Sequence, residues 1–310
     1  LNSGYDFPVI GYGTFGGTDA PPEVYKGTKY ALEAGYRHID TAYSYETEEV
    51  VGKAVRESGI DRKEIFITTK LSQPFHEPKH VRPACERSLK LLDMDYIDLY
   101  LIHWPFGWKY HGYEFEDLKH TDENGHREIS DVSFIDTYRA MEELVKAGLV
   151  KSIGLSNFTI PMMEQILKEC EIPPAVNQVE IHPSLPQEEL LTFCKEHNIV
   201  VTAHSPLANP GHRGRLAMLD HPTVLNVAKK YNTTPVQILL NWGLSRGYSI
   251  IPKSARPERI KANLTVIRLD QKDIDEITNI GKDSTIRVCD PVRYFGPDFD
   301  IFDDYKNTSK

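Results

Sequence analysis

The chain has 310 residues, 40% hydrophobic, 10% aromatic and 26% charged, the profile of an ordinary globular protein. Its 36 basic and 45 acidic side chains leave a formal charge of −9, which argues against a nucleic-acid footprint and against a polybasic membrane binder. No apolar run nears the roughly 20 residues of a membrane span, Leu1-Asn2-Ser3-Gly4 lacks signal-peptide character, and Cys85, Cys170, Cys194 and Cys289 are scattered like thiols of a reducing, cytoplasmic compartment.

Short apolar runs alternate with helical spacing along the whole chain. The runs are Val9 to Gly13, Tyr36 to Asp40, Ile65 to Lys70 and Ile97 to His103, then Ser152 to Ser156, Ala175 to Ile181, Ile199 to His204 and Tyr248 to Pro252. Several are apolar nearly throughout, as parallel strands covered on both faces are. Helical patterns follow at Pro22 to Ala34, Thr47 to Glu57, Val81 to Leu92, Phe134 to Ala147, Pro161 to Glu169 and Gln187 to His197. Val224 to Tyr231 with Val236 to Arg246, and Pro257 to Asn263, complete the series. Glycines such as Gly35 and Gly148 stop helices just past their last apolar position.

Eight strand–helix pairs predict an α/β protein, a single (β/α)8 TIM barrel occupying residues 1–310 as one domain. Phe106 to Asp131 is a long polar insertion after the fourth strand, expected as a rim loop, and Asp283 to Lys310 is a tail expected to close the pocket. Gly11-Tyr12-Gly13-Thr14-Phe15-Gly16 matches the dinucleotide fingerprint GxGxxG of a doubly wound sheet. Pro21-Pro22 follows within six residues, however, and a proline pair cannot lie inside the helical turn that motif requires.

In such a barrel chemistry gathers where strands end. Those positions hold Asp40, Lys70, His103, Ser156-Asn157, Gln178 and His204-Ser205, with Tyr45 shortly after Asp40. Singly, each has a plain structural explanation, such as a helix cap or a satisfied core histidine. Together they put an acid, a base and two proton-handling groups on one rim. A free phenol, with a pKa of about 10, is a poor acid at neutral pH. An ammonium from Lys70, oriented by Asp40, predicts a lowered Tyr45 pKa suited to protonating a carbonyl oxygen, with His103 orienting that carbonyl. Neither a nucleophile beside a base nor a metal-ligand spacing is visible, so a hydride would come from a cofactor.

Gly35-Tyr36-Arg37-His38-Ile39-Asp40-Thr41-Ala42, Thr69-Lys70-Leu71, Leu101-Ile102-His103-Trp104-Pro105, Gly154-Leu155-Ser156-Asn157-Phe158, Asn177-Gln178 and Ile251-Pro252-Lys253-Ser254 resemble the aldo-keto reductases. The likeness runs from about residue 7 to residue 290, closest to the aldose, xylose and aldehyde reductase branch. It implies NADPH-dependent reduction of aldehydes and ketones, with Asp40, Tyr45, Lys70 and His103 as a catalytic tetrad and Tyr45 as the acid. For the cofactor it implies Thr14, Ser156, Asn157, Gln178, His204, Ser205 and Leu207, with Lys253, Ser254, Arg259 and Asn263 at the adenosine phosphate. For the substrate it implies Phe15, Tyr43, Trp104, Cys289 and Phe295.

The partner is then a small carbonyl compound, the chain a monomer or weak dimer, and no metal is expected. The alternative is a cofactor-binding protein on the same barrel with a structural or regulatory role. Two departures stand out: His204 replaces a tyrosine that stacks on nicotinamide, and Ala262 replaces a glutamate at the adenine. An imidazole that titrates near neutrality predicts pH-dependent cofactor affinity. Phe295, where xylose reductases tend to have asparagine, predicts aromatic or short aliphatic aldehydes over open-chain sugars.

Overall fold

The computed structural model describes residues 1–16, 20–123, 125–208, 218–283, 285–296 and 299–302. Its centre is a parallel sheet of eight strands in sequential order. The strands are β1 (Tyr12–Gly13), β2 (His38–Asp40), β3 (Phe66–Leu71), β4 (Ile97–Ile102), β5 (Val150–Ser156), β6 (Val176–Glu180), β7 (Val200–His204) and β8 (Ser249–Ile250). β3, β4 and β6 are buried at every residue, as parallel strands covered on both faces are; β4 is apolar nearly throughout, while β3 and β6 also bury polar residues such as Lys70 and Gln178. Beyond the paired ends of β1 and β8, Ile10 bridges Ile250 in parallel, and the Ile250 amide donates to the Val9 carbonyl at 2.9 Å. The sheet therefore curls until its first and last strands meet. Sequential order also disposes of the doubly wound reading, whose strand order reverses at a switch point.

Helices α1 (Pro21–Ala34), α2 (Glu48–Glu57), α3 (Pro78–Leu92), α4 (Phe134–Lys146), α5 (Ile160–Glu169) and α6 (Glu188–Glu196) follow the first six strands in turn. α7 (Pro222–Lys230) and α8 (Pro235–Ser245) follow β7, and α9 (Pro257–Ala262) follows β8. Then come α10 (Gln271–Thr278), α11 (Ile280–Asp283) and α12 (Pro291–Phe295). Seven of these helices carry proline in their first two positions, where the missing N–H costs nothing. α3 starts three residues before the expected Val81, with Pro78 at its first position. α10 lay outside the expected set; it packs Ile274 and Ile277 inward, and Thr278 accepts the Trp242 indole N–H at 3.0 Å.

The insertion after β4 is folded on itself. Trp108 bridges Ile129 in antiparallel fashion, and the Lys109 amide donates to the Glu128 carbonyl at 2.8 Å. The segment after α11 is tied to the barrel by the Ile286 amide on the Ser184 carbonyl, 2.9 Å. Two further bonds tie it to Glu180, the last residue of β6, whose carboxylate accepts the amides of Val288 and Cys289, each at 2.6 Å.

Candidate active site

The strand register brings the expected polar residues to one end of the sheet. Asp40 closes β2, Lys70 is the penultimate residue of β3, and His103 follows β4 directly. The Lys70 ammonium is fully buried and donates to Asp40 Oδ1 at 2.6 Å and to the Thr41 carbonyl at 2.8 Å. The other Asp40 oxygen accepts Gln178 Nε2 at 2.6 Å. Asp40 is thus held between β3 and β6, and Gln178 keeps its own amide oxygen free of that bond.

Tyr45 stands over this pair in the short turn Tyr43–Tyr45. Lys70 Nζ lies 5.0 Å from its ring centroid, and the His103 ring meets it edge-on at 5.5 Å. The Tyr45 hydroxyl makes no hydrogen bond to the described residues. The expected lowering of its pKa does not occur. Burial, with Asp40 and Cys289 adding to it, holds the phenol well above its ordinary 10.0. The reason is geometric: the Lys70 charge is engaged by Asp40 and Thr41, and burial itself pulls the Lys70 pKa down.

His103 is neutral, since burial and then the Lys70 charge push its pKa well below 6.5. Its Nδ1 sits 3.3 Å from Ser44 Oγ, a neighbour that sequence reasoning missed. A hydroxyl on Nδ1 leaves Nε2 as the nitrogen that can face a carbonyl oxygen.

Ser156 ends β5, Asn157 follows it, and both are almost fully buried. Asn157 has a left-handed backbone, φ 65°, which asparagine tolerates better than most residues. Its Nδ2 donates to the His103 carbonyl at 3.0 Å and to Ser156 Oγ at 3.2 Å. His204, closing β7, does not titrate near neutrality as expected. Burial pulls it to about 4 against the opposing pull of Glu180, so its ring stays neutral and the predicted pH dependence of cofactor affinity lapses. Ser205 Oγ lies 3.3 Å from both His204 Nδ1 and Cys289 Sγ, and burial pushes the Cys289 thiol up to about 12. Leu207 packs on the main hydrophobic core. Thr14 is buried beneath the site, its hydroxyl 3.5 Å from that of Thr47.

At the far end, Lys253 Nζ already pairs with Glu23 Oε1 at 2.6 Å. Arg259, on α9, has no carboxylate partner among the described residues. Ser254 accepts the Arg256 amide at 3.2 Å, and Asn263 ends the helix, its amide on the Arg259 carbonyl at 2.9 Å. Arg256 and Lys261 flank Arg259 along the chain, and both are exposed.

The apolar residues divide. Phe15 is 65% exposed and lies edge-on to Tyr45 at 5.1 Å. Trp104 meets Phe295 at 5.7 Å, and Trp108 meets it at 5.3 Å. Phe106 and Phe299, 4.6 Å apart, extend this wall; the aromatic spacing Trp104-Pro105-Phe106-Gly107-Trp108 was the signal for it in the sequence. Tyr43 does not line the opening. It is 2% exposed, and its hydroxyl is tied to the Tyr113 carbonyl and to Arg87 Nε, which clamps the inserted loop. Away from the site, His111, His120 and Glu128 bring possible metal-ligand atoms within 4.8 Å of one another. Their two imidazoles stack face to face at 3.6 Å and would have to turn before both aimed at one ion.

Comparison with known proteins identifies the family and the fold. The model of the Aldo/keto reductase family matches residues 9–282. The chain is 42% identical over 290 residues to a Saccharomyces cerevisiae glycerol 2-dehydrogenase (NADP(+)), covering 91% of this chain and 90% of that one. It is 41% identical to the aldehyde reductase YPR1 of the same yeast, covering 94% and 93%. Among solved structures, the aldose reductase of Schistosoma japonicum superposes with a TM-score of 0.88 at 39% identity, covering 98% of each chain. The Giardia lamblia aldose reductase gives 0.86 at 38%, covering 93% of this chain and 96% of that one.

Proposed function

The chain belongs to the aldo/keto reductase family, and from that premise we propose that it reduces aldehydes and ketones to alcohols with NADPH, Tyr45 being the proton donor. The observation that supports this best is the fully buried Lys70–Asp40 pair directly beneath Tyr45 and His103. A bare core has no use for such a pair, because two desolvated charges are stable only in a good geometry with every hydrogen bond made. Asp40, Lys70 and Gln178 form a closed set that fixes the floor under the phenol.

The residues present fit a dinucleotide. Gln178 and Asn157 each turn an amide toward the strand ends, Ser156 offers a hydroxyl, and His204 adds a flat ring. Arg259 is a planar cation left for a phosphate, matched to its oxygens; Lys253, joined to Glu23, is the more neutralised partner. Bound there, NADPH supplies the hydride. On the protein side, His103 directs an N–H at the substrate oxygen through Nε2. Tyr45 then gives its proton to that oxygen as negative charge gathers on it. The forming alkoxide is far more basic than even a raised phenol, so a lowered pKa is not needed in this direction.

In this reading the whole chain works as one domain. The loop after β4 and the tail near Phe295 form the pocket's wall. Trp104, Trp108 and Phe295 favour flat or short apolar aldehydes over polyhydroxy chains, to which an aromatic wall returns no hydrogen bonds. The test is NADPH absorbance on mixing with 4-nitrobenzaldehyde. Wild type should consume the cofactor, and Tyr45→Phe should lose at least about a hundredfold in kcat, the usual scale of acid catalysis, while still binding NADPH. No turnover by wild type across a broad carbonyl panel would favour a binding protein on the same barrel.

A further inference from the structure

Which atom of the Asn157 amide is oxygen and which is nitrogen follows from a single neighbour. The carbonyl of His103 can only accept, so the Asn157 atom 3.0 Å from it must be the donor nitrogen, Nδ2. Its second hydrogen goes to Ser156 Oγ at 3.2 Å. The Asn157 oxygen is thereby turned toward β7, where His204 Nε2 meets it at 3.0 Å. An amide oxygen only accepts, so His204 must carry its hydrogen on Nε2. In a neutral ring Nδ1 then holds a lone pair, which takes the Ser205 hydroxyl at 3.3 Å; the Cys289 thiol can donate to Ser205 in turn. From Ser205 through His204 to Asn157, each hydrogen points toward β5.

We propose that His204 is a positioning residue that helps lock the Asn157 amide with its oxygen toward β7, so that Asn157 meets the cofactor's carboxamide only as an acceptor of its N–H. This rests on the cofactor reading above. Both Asn157 hydrogens are engaged within the protein, and only the second lone pair of Oδ1 remains. An acceptor held this way recognises a nicotinamide by its NH2 group. It gains nothing from the 3-acetylpyridine analogue, which has a methyl group there. Stacking by the His204 ring serves both cofactors alike.

The experiment compares the binding of NADPH and of its reduced 3-acetylpyridine analogue, by calorimetry, to wild type, His204→Phe and His204→Gln. Phenylalanine keeps a flat ring without the donor; glutamine keeps a donor without the ring. Loss of one neutral hydrogen bond is worth up to about tenfold in affinity. His204→Phe should therefore weaken NADPH about tenfold and the analogue by less than about threefold. His204→Gln should preserve the preference for NADPH over the analogue. An equal loss on both cofactors, or none, overturns the proposal and leaves the reductase reading standing. Failure of wild type to bind NADPH at all defeats both. Nitrogen-15 NMR of the unliganded wild type gives a readout independent of how the variants fold, with the His204 signal identified by its loss in His204→Gln. The Nε2–H tautomer between about pH 6 and 8 supports the proposal, since a perturbed neutral histidine holds one form, and the Nδ1–H tautomer overturns it.

Discussion

At Tyr45, burial outweighs the help a neighbouring ammonium could give, because Lys70 is already bound to Asp40 and Thr41. A phenol held above its ordinary value stays protonated through neutrality, so it remains a competent donor for reduction. We expect kcat/KM for aldehyde reduction to stay flat between about pH 6 and 9, since neither the raised phenol nor the lowered His103 titrates there. The reverse reaction needs the phenolate and should keep rising to about pH 10 or beyond. A reduction profile that falls with an apparent pKa near 8 would show that the phenol is lowered in the working enzyme after all. The convergence of Asp40, Lys70 and His103 was legible in the sequence because they sit at strand ends, where position alone predicts that they meet. The bond between His204 and Asn157, and that between Ser44 and His103, were not legible. Each joins different strands through space, and nothing in the spacing along the chain encodes the meeting of their atoms.

Between elements, α2 comes very close to the end of α3. A methyl group at Gly52 would lie 2.0 Å from the Leu92 carbonyl oxygen, and Arg56 donates to that same oxygen at 3.0 Å. On an isolated helix, Gly→Ala would stabilise by roughly 1 kcal/mol. Here backbone must move, so Gly52→Ala should destabilise by about 2 kcal/mol, within the range for overpacking. Urea unfolding would check the sign; a gain in stability would mean that α2 can slide outward freely. The alternation of strands and helices was readable from apolar runs and proline starts. β1 and β8 came out shorter than expected, at two residues each. Pro8 and Pro252 bracket that seam and lack the N–H that a longer ladder would use. α10 escaped notice because its buried stripe is only two isoleucines and one aspartate wide.

Over the whole molecule, buried histidines set the response to acid. Burial lowers His38 to about 4, His76 to about 3 and His204 to about 4. The unfolded chain protonates these rings near 6.5, so it binds more protons below that value and folding stability falls with pH. Glu48 acts in the opposite sense, because burial raises it to about 7 and the fold is the form that holds its proton. The three histidines, with His103 held well below 6.5 in the same way, outweigh Glu48, so Tm should decline from pH 7 to about 4.5. A calorimetric Tm that holds or rises over that interval contradicts the balance. The net charge of −9 is a global sum and says little about a local run of cations such as Lys253, Arg256, Arg259 and Lys261.

Glu180 has a consequence for how such a protein can diversify. Its carboxylate grips the tail at Val288 and Cys289 through main-chain amides, bonds that any residue except proline could offer. The residues after that grip, Phe295 among them, face the aromatic wall, while those before it belong to the barrel. Mutation can therefore rewrite the tail beyond Cys289 without loosening its mooring. On the function proposed above, substrate choice is then free to drift across generations while the proton-transfer machinery stays constant, a division of labour secured by one acidic side chain at the end of the sixth strand.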